Sequence, residues 1–409
     1  NATVDTVVPT VTTANVSVTG ASGTSGAFKN ADTAVGRWNN SGTGDNNTDT
    51  IASVNFNAGS FRTGDTALSG SVASGIYTAS LSGAMTSQDD TLNNITVTVV
   101  YNAGNSTATV GTNNYTIDTI LPTLTGTNIT VTGCTGTSGA CKNADTGVAR
   151  WDNSATGDNN SDTIASVTFN GSSFDDGSSS LSGSVASGIY TATVGALDSQ
   201  DDTLNTITAT VVDNAGNSTG PTTSSVSYTV DTIVPTVTAG SLSVTGSLGT
   251  AGAFKFGDTQ TYIWNPTTSG EADTVASVSF NGSSFNASDT ATTGALVTNW
   301  TATSTLGASQ DDTLNTITAT VVDNAGNSTT SAASTASYTI DTVVPVVTVA
   351  NITVTGASGT SGAFKNGDTA TGRWDNSATG DNNSDTIASV TINASALDDG
   401  SSALSGSVS

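Results

Sequence analysis

The sequence has no histidine and little positive charge. Its 409 residues include 8 Lys and Arg against 33 Asp and Glu, which gives a net charge of −25. Without histidine the chain cannot assemble a Ser-His-Asp or Cys-His nucleophile or a histidine zinc site. Nucleic acids and anionic lipids are bound through clustered Lys and Arg, so the charge balance argues against both as partners. No apolar run is long enough to cross a bilayer, so we expect no membrane insertion in this segment.

A tandem repeat organises the chain. The string Asp-Thr-x-x-Pro begins at Asp5, Asp118, Asp231 and Asp341, at spacings of 113, 113 and 110 residues. Such a fixed period is the signature of a repeat architecture. We therefore predict repeats at 5–117, 118–230 and 231–340, an incomplete fourth repeat at 341–409, and the tail of a preceding repeat at 1–4. The match of residues 1–4 to the segment that ends at Asp118 makes us expect a piece of a longer tandem protein.

Within each repeat the apolar residues alternate with polar ones. In the second repeat Ala165, Val167 and Phe169 alternate with Ser and Thr, the period of a half-buried strand. About seven such runs per repeat predict an all-β fold, a tandem array of immunoglobulin-like antiparallel β-sandwich domains. The seven strands predicted for the second repeat are 124–132, 145–152, 164–170, 181–186, 188–194, 206–212 and 222–230. Trp151, at the end of the second strand, is expected to pack in the core, since sugar stacking would need an exposed ring.

Three motifs recur at fixed places in the repeats. They are Asp-Asn-Ala-Gly-Asn at 213–217 and 323–327, the linker Tyr-Thr-Ile/Val-Asp-Thr-x-x-Pro, and Phe-Lys-x-x-Asp-Thr before the second strand. Together they resemble the bacterial immunoglobulin-like tandem repeats of large secreted adhesins and other cell-surface repeat proteins. The resemblance covers essentially the whole chain. It implies a sandwich fold, an extracellular or cell-surface location, and often calcium held at domain junctions.

The acidic residues concentrate in turns and linkers. In this topology the turns after the second and sixth strands lie at the N-terminal end of a domain, and the turn after the fifth strand lies at the opposite end. Each junction between repeats therefore collects acids from both neighbours. The set predicted for the first junction is Asp89, Asp90, Asp118, Asp158, Asp162 and Asp213. The set for the second is Asp201, Asp202, Asp231, Glu271, Asp273 and Asp323. The set for the third is Asp311, Asp312, Asp341, Asp381 and Asp385, and its sixth-strand turn would lie beyond Ser409.

We predict structural Ca²⁺ at these junctions. Carboxylates gathered in a joint repel one another unless a cation lies among them, and Ca²⁺ accepts 6–8 oxygen ligands in irregular geometry. Mg²⁺ requires a stricter octahedron and fits less well. The alternative is that these Asp and Asn residues only form turns by capping their own backbone. Tyr101 stands where later repeats have Asp213 and Asp323, which weakens the prediction of an ion ahead of the first repeat.

The two cysteines of the sequence occur together in the second repeat. Cys134 and Cys141 replace Ala21 and Phe28 of the first repeat, on either side of a Gly-rich loop. We predict a disulfide, which requires an oxidising, exported compartment. Two free buried thiols are the alternative.

These observations favour a structural role over an enzymatic one. The acids lie in turns at joints and not in a cleft, so we do not predict an enzyme. We predict an extracellular repeat protein that forms an extended stalk, filament or surface coat, with junctions stiffened by Ca²⁺. The alternative is an adhesive binding module for glycans or another cell surface, with Trp300 or the Thr-rich faces of the sheets as the candidate contact. The expected partners are neighbouring repeats, identical chains in a filament or coat, and a glycan or surface ligand.

Overall fold

A computed structural model describes residues 4–307, 309–398 and 400–408. Residues 1–3 of the predicted preceding tail therefore lie outside the described residues. The chain divides into two units, Asn1–Ile233 and Val234–Ser409. The first unit contains the first and second repeats, and the second unit contains the third and fourth.

The first repeat forms two four-stranded sheets and a separate strand pair. Its strands are β1 (Val16–Thr19), β2 (Val35–Asn39), β3 (Ile51–Asn57), β4 (Leu68–Ser69), β5 (Ser71–Ala73), β6 (Ile76–Ser80), β7 (Thr91–Asn93), β8 (Thr96–Tyr101), β9 (Ser106–Val110) and β10 (Tyr115–Ile117). The sheet orders are β1-β2-β6-β5 and β4-β3-β8-β9, and β10 pairs with β7. One-turn 3-10 helices span Thr13–Asn15 and Thr24–Gly26.

The second repeat has the same plan. Its strands are β11 (Ile129–Thr132), β12 (Cys141–Lys142), β13 (Thr146–Asp152), β14 (Ile164–Asn170), β15 (Leu181–Ser182), β16 (Ser184–Ala186), β17 (Ile189–Ala196), β18 (Thr203–Asn205), β19 (Thr208–Asp213), β20 (Ser218–Thr223) and β21 (Tyr228–Asp231). The sheet orders are β11-β13-β17-β16, β15-β14-β19-β20 and β12-β21-β18. Its 3-10 helices span Gly126–Asn128 and Thr137–Gly139.

The second unit repeats these sheets in the third repeat and part of them in the fourth. The third repeat contains β22 (Leu242–Thr245), β23 (Phe254–Lys255), β24 (Thr259–Trp264), α1 (Pro266–Ser269), β25 (Val275–Asn281), β26 (Thr292–Thr293), β27 (Ala295–Leu296), β28 (Trp300–Thr305), β29 (Thr313–Asn315), β30 (Thr318–Asp323), β31 (Ser328–Thr330) and β32 (Tyr338–Asp341). The fourth contains β33 (Ile352–Thr355), β34 (Thr371–Trp374), β35 (Thr391–Ile392) and β36 (Leu404–Ser405). The 3-10 helices are Ala239–Ser241, Thr250–Gly252, Val349–Asn351 and Thr360–Gly362.

The predicted all-β, immunoglobulin-like sandwich is confirmed by this strand order. Alternate residues of each sheet face inward, and Trp38, Trp151 and Trp264 are fully buried. Trp151 lies in the core of the second repeat, as its position predicts. The helices of the described residues are all too short to span a bilayer.

Two strand predictions for the second repeat are wrong in detail. The strand predicted at 181–186 divides into β15 and β16, which join opposite sheets. Gly183 separates them, and a Cβ there would lie 3.1 Å from the ring of Phe169. The strand predicted at 222–230 divides into β20 and β21. Between them Ser224 donates its backbone N–H to Ile207 and its hydroxyl to Val226 O, which turns the chain.

The predicted disulfide is present. Cys134 and Cys141 are bonded to each other, and no described cysteine is free. The bond links the residues on either side of the 3-10 helix Thr137–Gly139. In the first and third repeats Phe28 and Phe254 occupy the position of Cys141, and all three residues are buried.

Candidate metal sites at the repeat junctions

Three carboxylates from three segments meet between the first and second repeats. Asp89 precedes β7, Asp118 follows β10, and Asp162 lies in the turn before β14. One oxygen of each lies within 4.8 Å of the others. Two ligands of one Ca²⁺ ion, each at about 2.3–2.6 Å, are separated by at most about 5 Å. The spacing therefore allows one ion to contact both repeats.

The local backbone leaves one oxygen of Asp118 and one of Asp162 without a partner. Asp118 is buried, and its Oδ1 accepts a hydrogen bond from Ile120 N at 3.0 Å. Asp162 Oδ1 accepts one from Thr163 N at 2.7 Å. The Oδ2 atoms of Asp118 and Asp162 are buried and accept no hydrogen bond from the described residues. Buried polar atoms are rarely left unpaired, so these two oxygens need an explanation.

A third unpaired oxygen belongs to Asn214, which the sequence analysis missed. Its Nδ2 donates to both oxygens of Asp90, at 3.2 and 2.9 Å, and so joins the second repeat to the first. Its Oδ1 is buried and has no partner among the described residues. Asn214 belongs to the recurring Asp-Asn-Ala-Gly-Asn motif, and an amide oxygen is as suitable a ligand for Ca²⁺ as a carboxylate oxygen.

The electrostatics of this cluster favour a bound cation. Burial, and then the charges of Asp162, Asp213 and Asp90, raise the pKa of Asp118 to about 7. Burial and neighbouring carboxylates also raise the pKa of Asp162. Among the described residues, none of the three ion pairs closer than 4 Å includes Asp89, Asp118 or Asp162. Oxygen ligands, unpaired buried atoms and uncompensated charge together fit Ca²⁺.

A similar cluster lies between the third and fourth repeats. Oxygens of Asp311, Asp312 and Asp385 lie within 4.8 Å of one another. Asp341, at the end of β32, accepts a hydrogen bond from Val343 N at 3.0 Å. Its pKa is raised by burial and by the carboxylates of Asp385 and Asp312. Carboxylates predicted from sequence therefore meet at this junction as well.

Two other predicted ligands, Asp158 and Asp381, do not belong to the carboxylate groups at the first and third junctions. Both oxygens of Asp158 accept hydrogen bonds, from Thr125 N at 3.0 Å, Asn128 Nδ2 at 2.8 Å and Trp151 Nε1 at 2.6 Å among others. Asp381 accepts the equivalent bonds in the fourth repeat, including one from Trp374 Nε1 at 2.5 Å. These carboxylates hold the linker against the turn.

Asp213, Asp323 and Glu271 also bind their own turns. Asp213 Oδ1 accepts from the backbone N–H groups of Gly216 and Asn217 at 2.7 and 2.8 Å. Asp323 accepts the equivalent two bonds, at 2.7 and 2.8 Å. Glu271 follows α1 and accepts from the N–H groups of Thr236 and Asp273. In each case the carboxylate orders a turn, as the alternative of plain turn chemistry expects.

The set predicted for the second junction is divided between the two units. Asp201, Asp202 and Asp231 belong to the first unit, and Glu271, Asp273 and Asp323 belong to the second. An ion at that junction stays a prediction.

One acidic residue adopts a left-handed backbone conformation in each of the first three repeats. It is the second Asp of the Asp-Asp pair that precedes β7, β18 and β29, and its φ is 44–45° at Asp90, Asp202 and Asp312.

Two aromatic residues of interest are held by internal contacts. Tyr101 of the first repeat occupies the position of Asp213 and Asp323 in the later repeats. Its hydroxyl donates to Asn47 Oδ1 at 2.6 Å. Trp300 lies opposite Trp264 in the sheet and is half-buried against the core of the third repeat. Part of the Trp300 side chain is therefore used in packing, and glycan binding through it stays a prediction.

Comparison with known proteins finds similarity only among solved structures. No family model and no curated protein matches the chain. A 1.5-MDa bacterial ice-binding adhesin, studied for host cell surface retention, is 19% identical over 80% of this chain and 98% of its own, with a TM-score of 0.38. A tetra-tandem repeat from the extending region of a large adhesion protein is 16% identical over 80% of this chain and 71% of its own, with a TM-score of 0.22.

A third similar structure is a glycan-binding complex. SGBP-B of a Bacteroides ovatus mixed-linkage glucan utilization locus, in complex with a mixed-linkage heptasaccharide, is 12% identical over 73% of this chain and 62% of its own, with a TM-score of 0.15. Likenesses this distant do not establish a function, which rests on the geometry of the junctions.

Proposed function

We propose that this chain is a segment of an extracellular structural repeat protein that forms a stalk, filament or surface coat. In this proposal Ca²⁺ binds at the junctions and holds successive immunoglobulin-like repeats in a fixed orientation. The observation that carries it is the group Asp89, Asp118 and Asp162 at the first junction, in which one oxygen of each lies within 4.8 Å of the others. In addition, Asp118 Oδ2 in the linker and Asp162 Oδ2 and Asn214 Oδ1 in the second repeat are buried oxygens without a hydrogen-bond partner among the described residues.

The stiffening follows from where the ligands are attached. Asp89 and Asp118 are fixed by the last strands of the first repeat, and Asp162 is fixed by the second. An ion that contacts all three carboxylates is coordinated by both repeats at once. One repeat can then bend relative to the other only if a metal–oxygen contact breaks. Without the ion, the carboxylates repel at close range in a partly desolvated site. The joint then bends more freely.

Small-angle X-ray scattering of the 409-residue chain tests the proposal. We expect millimolar Ca²⁺ to give a larger maximum dimension and a more rigid profile than EDTA, because each joint loses its bending freedom. Mg²⁺ at the same concentration is the control and should give a smaller change. Identical profiles with Ca²⁺ and with EDTA would contradict the proposal.

A further inference from the structure

The turn between β19 and β20 forms hydrogen bonds with the loop of residues 22–32 in the first repeat. This turn, Asp213–Asn217, places Ala215 O 2.9 Å from Thr24 N, which donates to it. Asn217 Oδ1 accepts from Asn30 N at 2.8 Å, and Asn217 Nδ2 donates to Asp118 O at 3.0 Å. Two neutral hydrogen bonds therefore connect the turn to the backbone of the first repeat, and a third connects it to the linker. Lys29 Nζ also donates to Gly216 O at 3.5 Å, beside the contact of Asn214 with Asp90.

The turn is rigid because its own residues hold it. Asp213 Oδ1 accepts from two backbone N–H groups of the turn, and Asp213 Oδ2 accepts from Asn217 Nδ2 at 3.0 Å. Gly216 has a φ of 96°, a conformation that favours glycine. Asn217 is only 3% exposed. Its amide is thus oriented by Asp213 before it meets the first repeat, which reduces the entropy lost on docking.

The receiving loop of the first repeat is equally well ordered. Asp32 accepts hydrogen bonds from Ser22 N at 2.8 Å and Lys29 N at 3.0 Å, which fixes both ends of the loop. Gly23 lies so close to the turn that a Cβ would come within 2.3 Å of Ala215 O. The loop presents the N–H groups of Thr24 and Asn30 at the positions that the turn requires.

We infer that the Asp-Asn-Ala-Gly-Asn turn is a metal-independent latch, with Asn217 as its positioning residue, that docks on the 22–32 loop of the preceding repeat. Its partner is the C-terminal end of another repeat of the same kind. The latch fixes the register of the joint, and calcium adds rigidity to a joint already in register. The inference goes beyond the proposed function, because the contacts with the 22–32 loop are direct hydrogen bonds between protein groups and do not need a divalent ion.

The first repeat supplies a matched control for this contact. Asn105, the counterpart of Asn217, donates its Nδ2 to Asp5 O at 3.1 Å within its own repeat and linker. Asn105→Ala therefore removes the same amide without affecting the joint between the first and second repeats. Asn217→Ala removes one of the two neutral hydrogen bonds with the 22–32 loop, together with the bond to the linker.

The test measures the joint in the full chain, in EDTA and in Ca²⁺. Spin labels are placed through Val72→Cys and Val185→Cys, at sites that are 57% and 58% exposed in the first and second repeats. In EDTA we expect Asn217→Ala to broaden the distribution of distances between the labels relative to the labelled parent. We expect Asn105→Ala to leave it unchanged. Equal widths for Asn217→Ala and the parent in EDTA would overturn the latch.

Hydrogen exchange separates undocking from unfolding. We expect the protection of the Asn30 amide in EDTA to fall about tenfold in Asn217→Ala, the size expected from losing two neutral hydrogen bonds. The amide of Val211, in β19, should stay protected if the second repeat remains folded. Unchanged protection at Asn30 would contradict the latch. Failure of Ca²⁺ to narrow the distances in any variant would contradict only the calcium proposal.

Discussion

Asp158 and Asp162 lie four residues apart in one turn, and their surroundings are opposite. Burial alone would raise the pKa of Asp158, but hydrogen bonds from Thr125, Trp151 and Asn128 outweigh it and hold the pKa below its usual value. Asp162 receives one backbone hydrogen bond and faces other carboxylates, and its pKa is raised. Residue type therefore does not identify a ligand. The donors around each carboxylate decide whether it binds the chain or remains available to a cation.

The same division recurs along the chain. Asp45, Asp158 and Asp381 each accept a hydrogen bond from the indole N–H of the Trp that recurs in the repeats, at 2.7, 2.6 and 2.5 Å. In the third repeat α1 replaces this part of the turn, and Trp264 Nε1 has no partner among the described residues. The Asp that accepts from the indole N–H is therefore dispensable where a helix replaces the turn.

Removing Asp158 should give the largest effect on stability. Asp158→Ala leaves the buried N–H of Trp151 and the N–H of Thr125 without acceptors, so we expect the free energy of unfolding to fall by about 3 kcal/mol. The loss should be the same in Ca²⁺ and in EDTA, because Asp158 lies outside the ligand group. Chemical denaturation monitored by tryptophan fluorescence measures it. A loss that appears only in Ca²⁺ would show that Asp158 is a ligand.

Removing Asp162 should affect only the response to calcium. Asp162→Asn keeps the shape of the side chain and removes one charge from the cluster. At 100-fold excess of Ca²⁺ over its dissociation constant, the parent should gain about 2.7 kcal/mol that the variant lacks. In EDTA the variant should be as stable as the parent or more stable, because a repulsion is gone.

Asp49 provides the control for Asp162. It occupies the equivalent position in the first repeat, away from the three-carboxylate group. Asp49→Asn should leave the calcium response of the first junction unchanged. Calorimetric melting with and without Ca²⁺ compares the three proteins. An equal calcium response in Asp162→Asn and the parent would contradict the assignment.

Asp118 and Asp158 should contribute to the free energy of unfolding with opposite dependences on pH. The pKa of Asp118 is about 7 in the fold against 3.8 for the free group, so the folded chain binds more protons between these values. Its contribution in EDTA therefore falls as the pH rises from about 4 to about 7. The pKa of Asp158 is lowered, so its contribution is present above 3.8 and is lost as the pH falls below that value.

Melting temperatures in EDTA between pH 5 and pH 8 measure the first of these effects. Asp118→Asn should flatten the decline over this range, and saturating Ca²⁺ should reverse it because the cation favours the ionised carboxylates. If the melting temperature declines with pH equally in Asp118→Asn and the parent, the titrating group is not Asp118.

The smallest effect concerns the backbone at Asp90. Its φ of 44° is in the left-handed region, which Asp and Gly tolerate better than Ala. We expect Asp90→Ala to lower the free energy of unfolding by about 1 kcal/mol more than Asp90→Gly, since glycine has no Cβ. Both variants lose the contact with Asn214. Equal stabilities would show that the turn relaxes around the substitution.

The repeat pattern was sufficient to predict the fold and most of the clustered acids. Alternating residues such as Val167 and Phe169 determine which face of a strand is buried, and Asp-Thr-x-x-Pro places Asp118 and Asp341 at junctions. The roles of Asp158 and Asn214 were not predictable, because they depend on partners distant in sequence. Asp158 accepts from Asn128, 30 residues away, and Asn214 donates to Asp90 across the joint. The motif that contains Asn214 was recognised as a signature, but its contacts needed the structure.

Anomalous X-ray diffraction from crystals grown with Ca²⁺ is the most direct test of the junction sites. We predict a calcium peak between the first and second repeats, bonded to Asp118 Oδ2 and Asp162 Oδ2 at about 2.3–2.6 Å, with Asp89 as a further ligand. Water alone at that position in millimolar Ca²⁺, with no anomalous signal, would contradict the account.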